Sequence, residues 1–187
     1  MLLKDAFKEE PFMGYNVAVQ PRIEKGSSKR KIIPPDSIQY TIIIPTRLRE
    51  MSFVKPIKEK YNVQEGDILI YLRKPYRVGV VTHKFDEEVI VPNNFFLLRG
   101  IDDKKYNYIF LANYLEQYGL HQKEYNGNLT IDDIEKIELP DIELNEQEKI
   151  VSLLKAVNER SSIYSCILDN DSKIIEYALK SIVGDKE

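Results

Sequence analysis

The 187-residue chain is poor in the residues that most often build reactive centres. It has one cysteine, Cys166, which excludes an intramolecular disulfide and a four-cysteine zinc site. A lone thiol fits a reducing cytoplasm, and its mid-helix position reads as small packing. The two histidines, His83 and His121, lack metal-ligand spacing, and His121 reads as a helix-end or surface residue. No run of about 18 apolar residues occurs, which argues against a membrane span. The opening MLLKDAFKEEPF turns charged too early for a signal-peptide core. No glycine-rich phosphate loop and no nucleophile–base triad can be assembled. These absences favour a cytoplasmic protein with no catalysis, cofactor or metal of its own. What is there is a hydrophobic fraction of 43%, enough for a core in one domain plus an appended element.

Charge is unevenly spread. The formal net charge is −3, yet residues 1–100 carry 17 basic against 12 acidic side chains, and residues 101–187 carry 10 against 18. Between residues 22 and 85 the balance is 14 basic to 6 acidic. A basic front and an acidic back can hold a polyanion with one part and a protein with the other; chance segregation on a solvated surface is the plainer alternative.

The first hundred residues have the β-branched content of strands. IQYTIIIP (38–45), GDILIYLR (66–73) and YRVGVVTHKF (76–85) each predict one strand, and VIVPNNFFLLRG (89–100) predicts two, split at a Pro92-Asn93-Asn94 turn. The polar EKGSSKRK (24–31) predicts an exposed loop, basic enough to bind phosphate. Strands this closely spaced suggest a small twisted sheet or barrel-like sandwich.

After residue 101 the period becomes helical. Tyr108, Leu111, Tyr114, Leu115 and Tyr118 mark an amphipathic helix over 103–119, with Gly119 as its expected C-cap. Asp132-Asp133 is expected to cap a short helix before Pro140. From Ile150 the stripe Leu154, Val157, Ser161, Tyr164, Leu168, Asp171, Ile175, Ala178 and Ile182 steps by four and three, and residues 145–182 contain no proline or glycine. With Asn145 as N-cap and Glu148 three residues on, this predicts one helix roughly 57 Å long. So long a stripe needs a second long helix, supplied by another molecule unless this one breaks at Asn170-Asp171 and folds back. The expected division is 1–143 and 144–187.

VQEGDILI (63–70), PNNFFLLR (92–99), YIFLANYLEQYG (108–119), Gly127 and then LPDIELNEQEKIVSLL (139–154) follow in an order and spacing that resemble the DNA specificity subunit of type I restriction-modification systems. Most of the chain from about residue 60 onward takes part. Full-length members carry two such units in tandem, whereas one is present here without an internal repeat. The family's glycine-rich turn after the Gly-Asp strand is replaced by Arg73-Lys74-Pro75-Tyr76-Arg77.

The resemblance implies an α+β target-recognition domain with short helices, followed by one long coiled-coil-forming helix. It implies a non-catalytic subunit that reads double-stranded DNA, one half-site per chain, in the major groove. Lys and Arg neutralise phosphates, while Arg, Asn and Gln match base edges. Candidate DNA contacts are Arg22, Lys25, Lys29, Arg30, Lys31, Arg47, Arg49, Lys55, Arg73, Lys74 and Arg77; for any one of them a solvated surface charge competes. Candidate dimerisation residues are Ile150, Leu154, Val157, Tyr164, Leu168, Ile175, Ala178 and Ile182. Implied partners are a second specificity chain, most simply a second copy, the DNA methyltransferase subunits and the motor endonuclease subunit. A competing reading is an adaptor or inhibitor that pairs with a full-length specificity subunit through its helix without reading DNA. Asn93-Asn94-Phe95-Phe96 lacks the prolines of an adenine methyltransferase motif, and Asp171 with Lys173 lies on a helix where a nuclease would use a strand, so neither carries catalysis.

Overall fold

The computed structural model describes residues 1–17, 28–53, 55–122, 124–125 and 127–184. Two compact units result, Met1–Glu148 and Lys149–Glu187.

The first unit is α+β. Its strands are β1 (Phe12–Met13), β2 (Ser28–Ile32), β3 (Ile38–Gln39), β4 (Ile42–Ile43), β5 (Arg49–Phe53), β6 (Ile68–Tyr71), β7 (Arg77–Val80), β8 (Val89–Ile90) and β9 (Phe95–Leu98). They form two open sheets, one ordered β1-β9-β6-β7-β4-β3 and one β5-β2-β8. The most apolar strands lie inside. β6 (ILIY) and β9 (FFLL) pair antiparallel with Leu69 opposite Leu97, and every residue of β9 is buried. Such continuous apolar runs suit strands covered on both faces. Ile33, Ile38, Ile43, Val81, Val89, Val91 and Phe95 complete one core cluster with Leu69 and Leu97.

Two sequence expectations for this half are corrected. The run 38–45 is a tight hairpin: Tyr40 and Thr41 take φ of 51° and 63° and turn the chain between β3 and β4. The basic stretch 28–31 is not a loop but the strand β2, paired antiparallel with β5 and parallel with β8. Residues 24–27 of that expected loop lie outside the described residues. The split of 89–100 into β8 and β9 stands, with the Phe95 N–H donating to the Pro92 carbonyl across the asparagine turn (3.1 Å).

Helix α1 spans Tyr108–Gln117. The Asn107 side chain caps it by accepting from the Ile109 and Phe110 N–H groups, and Phe110, Leu111, Ala112 and Leu115 are buried. Tyr118, expected on the apolar face, is 67% exposed. Gly119 is not a left-handed cap. It opens a 3-10 turn, Gly119–His121, where an added Cβ would meet Leu115 Cδ2 at 2.9 Å, so close packing is what requires glycine. Helix α2 (Ile131–Glu135) is capped by Thr130 rather than by an aspartate; Asp133 returns the bond to the Thr130 N–H in a capping box.

Helix α3 runs from Leu144 to Gly184. It starts one residue before the expected cap Asn145, with the Glu146 and Gln147 N–H groups donating to the Glu143 carbonyl. Its 41 residues extend about 60 Å. It continues unbroken through Asn170-Asp171, which removes the fold-back expectation.

Candidate nucleic-acid interface

Two buried polar staples fasten loops of the first unit. Gly66 takes φ +87° at the turn before β6. Asp67 follows, 1% exposed, and Arg99 grips both its carboxylate oxygens at 2.8 and 2.7 Å. The Gln64 N–H also donates to Asp67 Oδ2 (2.8 Å). Arg99 also donates to the Lys60 and Asn62 carbonyls and lies over the Phe12 ring. Burial pushes the Asp67 carboxyl up, while the hydrogen bond to Asp67 pushes Arg99 up. These directions oppose each other for an ion pair. The two-pronged geometry favours the ionised pair, because one guanidinium satisfies both oxygens. The Gly-Asp motif and the basic end of LLR, 32 residues apart, are thus one staple.

The Glu146-Gln147 motif is a second staple. Gln147 is fully buried in the first unit; its Oε1 accepts from the Asn107 N–H (2.9 Å) and its Nε2 donates to the Lys105 and Ile142 carbonyls, each at 2.8 Å. Neither staple faces a ligand. Both use up polar groups whose burial unpaired would be costly.

The candidate DNA contacts divide sharply. Arg22 and Lys25 lie outside the described residues. Along β2, Lys29 pairs with Glu50, Arg30 with Glu88 and Lys31 with Glu87. Arg49 pairs with Asp36 at 2.7 Å, and Arg47 donates to the Asp36 carbonyl. Apart from Arg47, whose partner is a neutral backbone carbonyl, these cations arrive with their own counter-charges, although solvent-accessible pairs of this kind are weak. The turn between β6 and β7 is different. Arg73 and Lys74 are exposed and have no acidic partner among the described residues; Lys74 lies over the Tyr76 ring at 5.9 Å. Arg77 donates to the Ile38 carbonyl (3.1 Å). Tyr76 anchors the turn by donating to the Gly127 carbonyl and packing edge-on against Tyr125. Lys55 is exposed, also without an acidic partner among the described residues. The structure therefore brings together Arg73, Lys74 and Arg77 as a cationic turn, separate from the neutralised β2 strand.

One carboxylate supports this turn. Glu116, on α1, accepts from the Val78 N–H just past Arg77. Burial raises its pKa, against the opposing pull of that hydrogen bond and of Arg77 and His121.

On α3, Ile150, Val157, Tyr164, Leu168, Ile175, Ala178 and Ile182 are exposed and Leu154 is partly exposed. Four-three stepping missed Leu153, Ile163, Ile167, Ile174, Tyr177 and Leu179, also exposed. Most of them flank the seam, making the apolar stripe broader than two helices alone require. Cys166, expected to pack, is exposed. His83 and His121 are exposed, and no cluster of His, Cys, Asp or Glu able to hold a metal exists among the described residues. No helix among them is long and apolar enough to cross a membrane.

A family model described as the type I restriction modification DNA specificity domain matches residues 24–167. Two solved structures share the fold. One, described as the structural basis underlying complex assembly and conformational transition of the type I R-M system, superposes with TM-score 0.58 at 18% identity, covering 87% of this chain and 38% of that one. The other, the HsdS subunit from Thermoanaerobacter tengcongensis, superposes with TM-score 0.52 at 17% identity, covering 85% and 43%. This chain thus spans about two fifths of the length of either structure. No curated protein matches it significantly.

Proposed function

The chain belongs to the type I restriction-modification DNA specificity family, and from that premise we propose that it is a non-catalytic subunit reading one half-site of a double-stranded DNA target. The observation that carries this reading is the β6–β7 turn, whose Arg73 and Lys74 have no acidic partner among the described residues and sit beside Arg77. Unpaired cations on a braced turn release DNA counterions without first breaking an internal pair. The exposed stripe on α3 supports pairing with the same helix of a second copy. A two-fold dimer then reads a symmetric, interrupted site, with the helix length setting the spacer. In this reading 1–143 is the target-recognition domain and 144–187 the dimerising helix, which also docks DNA methyltransferase subunits. The motor endonuclease subunit joins through them, and the assembly works in the cytoplasm.

One observation favours the adaptor reading instead: Lys29, Arg30, Lys31 and Arg49 all carry carboxylate partners. Selection from randomised duplex DNA separates the two. The recognition reading expects a two-fold symmetric site. Arg73→Gln with Lys74→Gln should then weaken binding and reduce the slope of log affinity against log salt by about 1 per lost phosphate contact, whereas Lys29→Gln with Lys31→Gln should change it less. A chain that enriches no sequence, yet associates with a full-length specificity subunit, is the adaptor.

A further inference from the structure

Tyr40 stands out because the fold gains so little from it. It is 67% exposed, its ring meets no other ring, and its hydroxyl has no hydrogen bond among the described residues. Tyr118, the other strongly exposed aromatic of the first unit, by contrast stacks on Tyr114. Tyr40 also sits in costly backbone. The two-residue loop between β3 and β4 has positive φ at both positions, 51° at Tyr40 and 63° at Thr41. Such loops favour Asn-Gly, and a β-branched residue in the left-handed region is unusual. Asparagine at position 40 would suit the backbone better than tyrosine does.

The loop is nevertheless firmly held. The Val80 N–H donates to the Thr41 carbonyl at 2.8 Å, the Thr41 hydroxyl donates to the Tyr40 carbonyl at 2.6 Å, and Arg77 donates to the Ile38 carbonyl at 3.1 Å. Both shoulders of the hairpin are therefore tied to β7, the strand that leaves the Arg73–Arg77 turn. Thr41 and Ile38 are buried, so among the central residues only the Tyr40 side chain projects. A rigid, exposed aromatic on a hairpin held by Arg77, at the strand that leaves the cationic turn, matches a nucleic-acid surface, where cations meet phosphates and the ring packs on bases. Locally strained backbone with no packing return is where such a contact is expected.

We propose that Tyr40 is a specificity-determining residue: its ring packs against the bases of one step of the half-site while Arg73, Lys74 and Arg77 hold the adjacent phosphates. This rests on the DNA-recognition reading above. The test compares wild-type full-length chain, Tyr40→Asn and Tyr40→Phe in melting temperature, affinity for a selected duplex and affinity for random duplex. Tyr40→Asn should melt at or above the wild-type temperature, lose about tenfold or more in affinity for the selected duplex and relax preference at one or two adjacent positions. Tyr40→Phe, which keeps the ring, should stay within about threefold of wild type. Tyr40→Asn that selects the wild-type site with wild-type affinity overturns the proposal, as does an equal loss on selected and random duplex. A wild-type chain that enriches no duplex removes the DNA-recognition reading itself, and Tyr40 with it.

Discussion

The two units dispose of their apolar residues in opposite ways. Met1–Glu148 buries them in two sheets and fastens the loops with internal ion pairs and side-chain amide hydrogen bonds, so each strand finds its partner within the unit. Lys149–Glu187 leaves Leu153, Ile163, Tyr164, Leu168, Ile175 and Ile182 all at least 60% exposed along one helix. A single helix gains stability mainly from packing its apolar face, and water offers none. The first unit thus has the means to be stable alone, and the second would gain from a partner that covers its stripe. Recognition and assembly would then be separable, each disabled by its own substitutions.

The largest effect expected from breaking that division is on the helix. Leu168→Asp with Ile175→Asp places two charges on one seam in every chain. Light scattering should find the wild type at twice its 21.9 kDa chain mass and the double variant at that mass, with association weakened at least about 100-fold. The unfolding transition of the first unit should not move. A wild type that is already monomeric would end the two-copy arrangement and turn attention to a heterologous partner helix.

The second effect lies wholly in the first unit. Asp67→Ala removes the carboxylate that Arg99 grips and leaves a guanidinium 9% exposed without its charge partner. Losing one member of a buried pair costs about 3–5 kcal/mol, so denaturant unfolding should shift by that amount while self-association persists wherever the chain stays folded. A shift under about 1 kcal/mol would mean that water reaches the pair and that it is not the fastening described here.

These residues show where the sequence was readable. Gly66, Asp67, Arg99 and Gln147 all fall inside the motifs that carried the resemblance, because a buried polar staple constrains residue type tightly. The long helix was readable to within about a turn, since an uninterrupted stripe has a single period to report. Two things were hidden. Lys29, Arg30 and Lys31 read as a free basic loop because their carboxylates lie 21, 58 and 56 residues away, in β5 and just before β8. The hairpin at Tyr40-Thr41 was hidden because IQYTIII contains none of the glycine, proline or asparagine that normally marks a turn. Charge balance and turn geometry both depend on tertiary neighbours, so composition alone overstated one cationic surface and missed an exposed aromatic on the hairpin that Arg77 holds.

The smallest effect tests how the cationic turn is supported. Burial raises the Glu116 pKa, the Val78 N–H and the charges of Arg77 and His121 opposing it. The folded chain therefore holds a proton on Glu116 more tightly than the unfolded chain does. Between the ordinary carboxylate value and the raised folded one, the folded state carries more protons, so this group's contribution to stability falls as pH rises through that window and returns as pH drops. Glu116→Gln keeps an acceptor for the Val78 N–H and carries no charge at any pH. It should be more stable than wild type at pH 7, on the order of 0.5 kcal/mol after solvent screening, with the gap closing as melts are repeated toward about pH 4.5. A glutamine variant less stable than wild type at pH 7, with the deficit closing on acidification, would mean that the ionised carboxylate, through Arg77, is what holds the turn. Arg73 and Lys74 would then lose their placement in the glutamine variant, and duplex affinity would fall with stability.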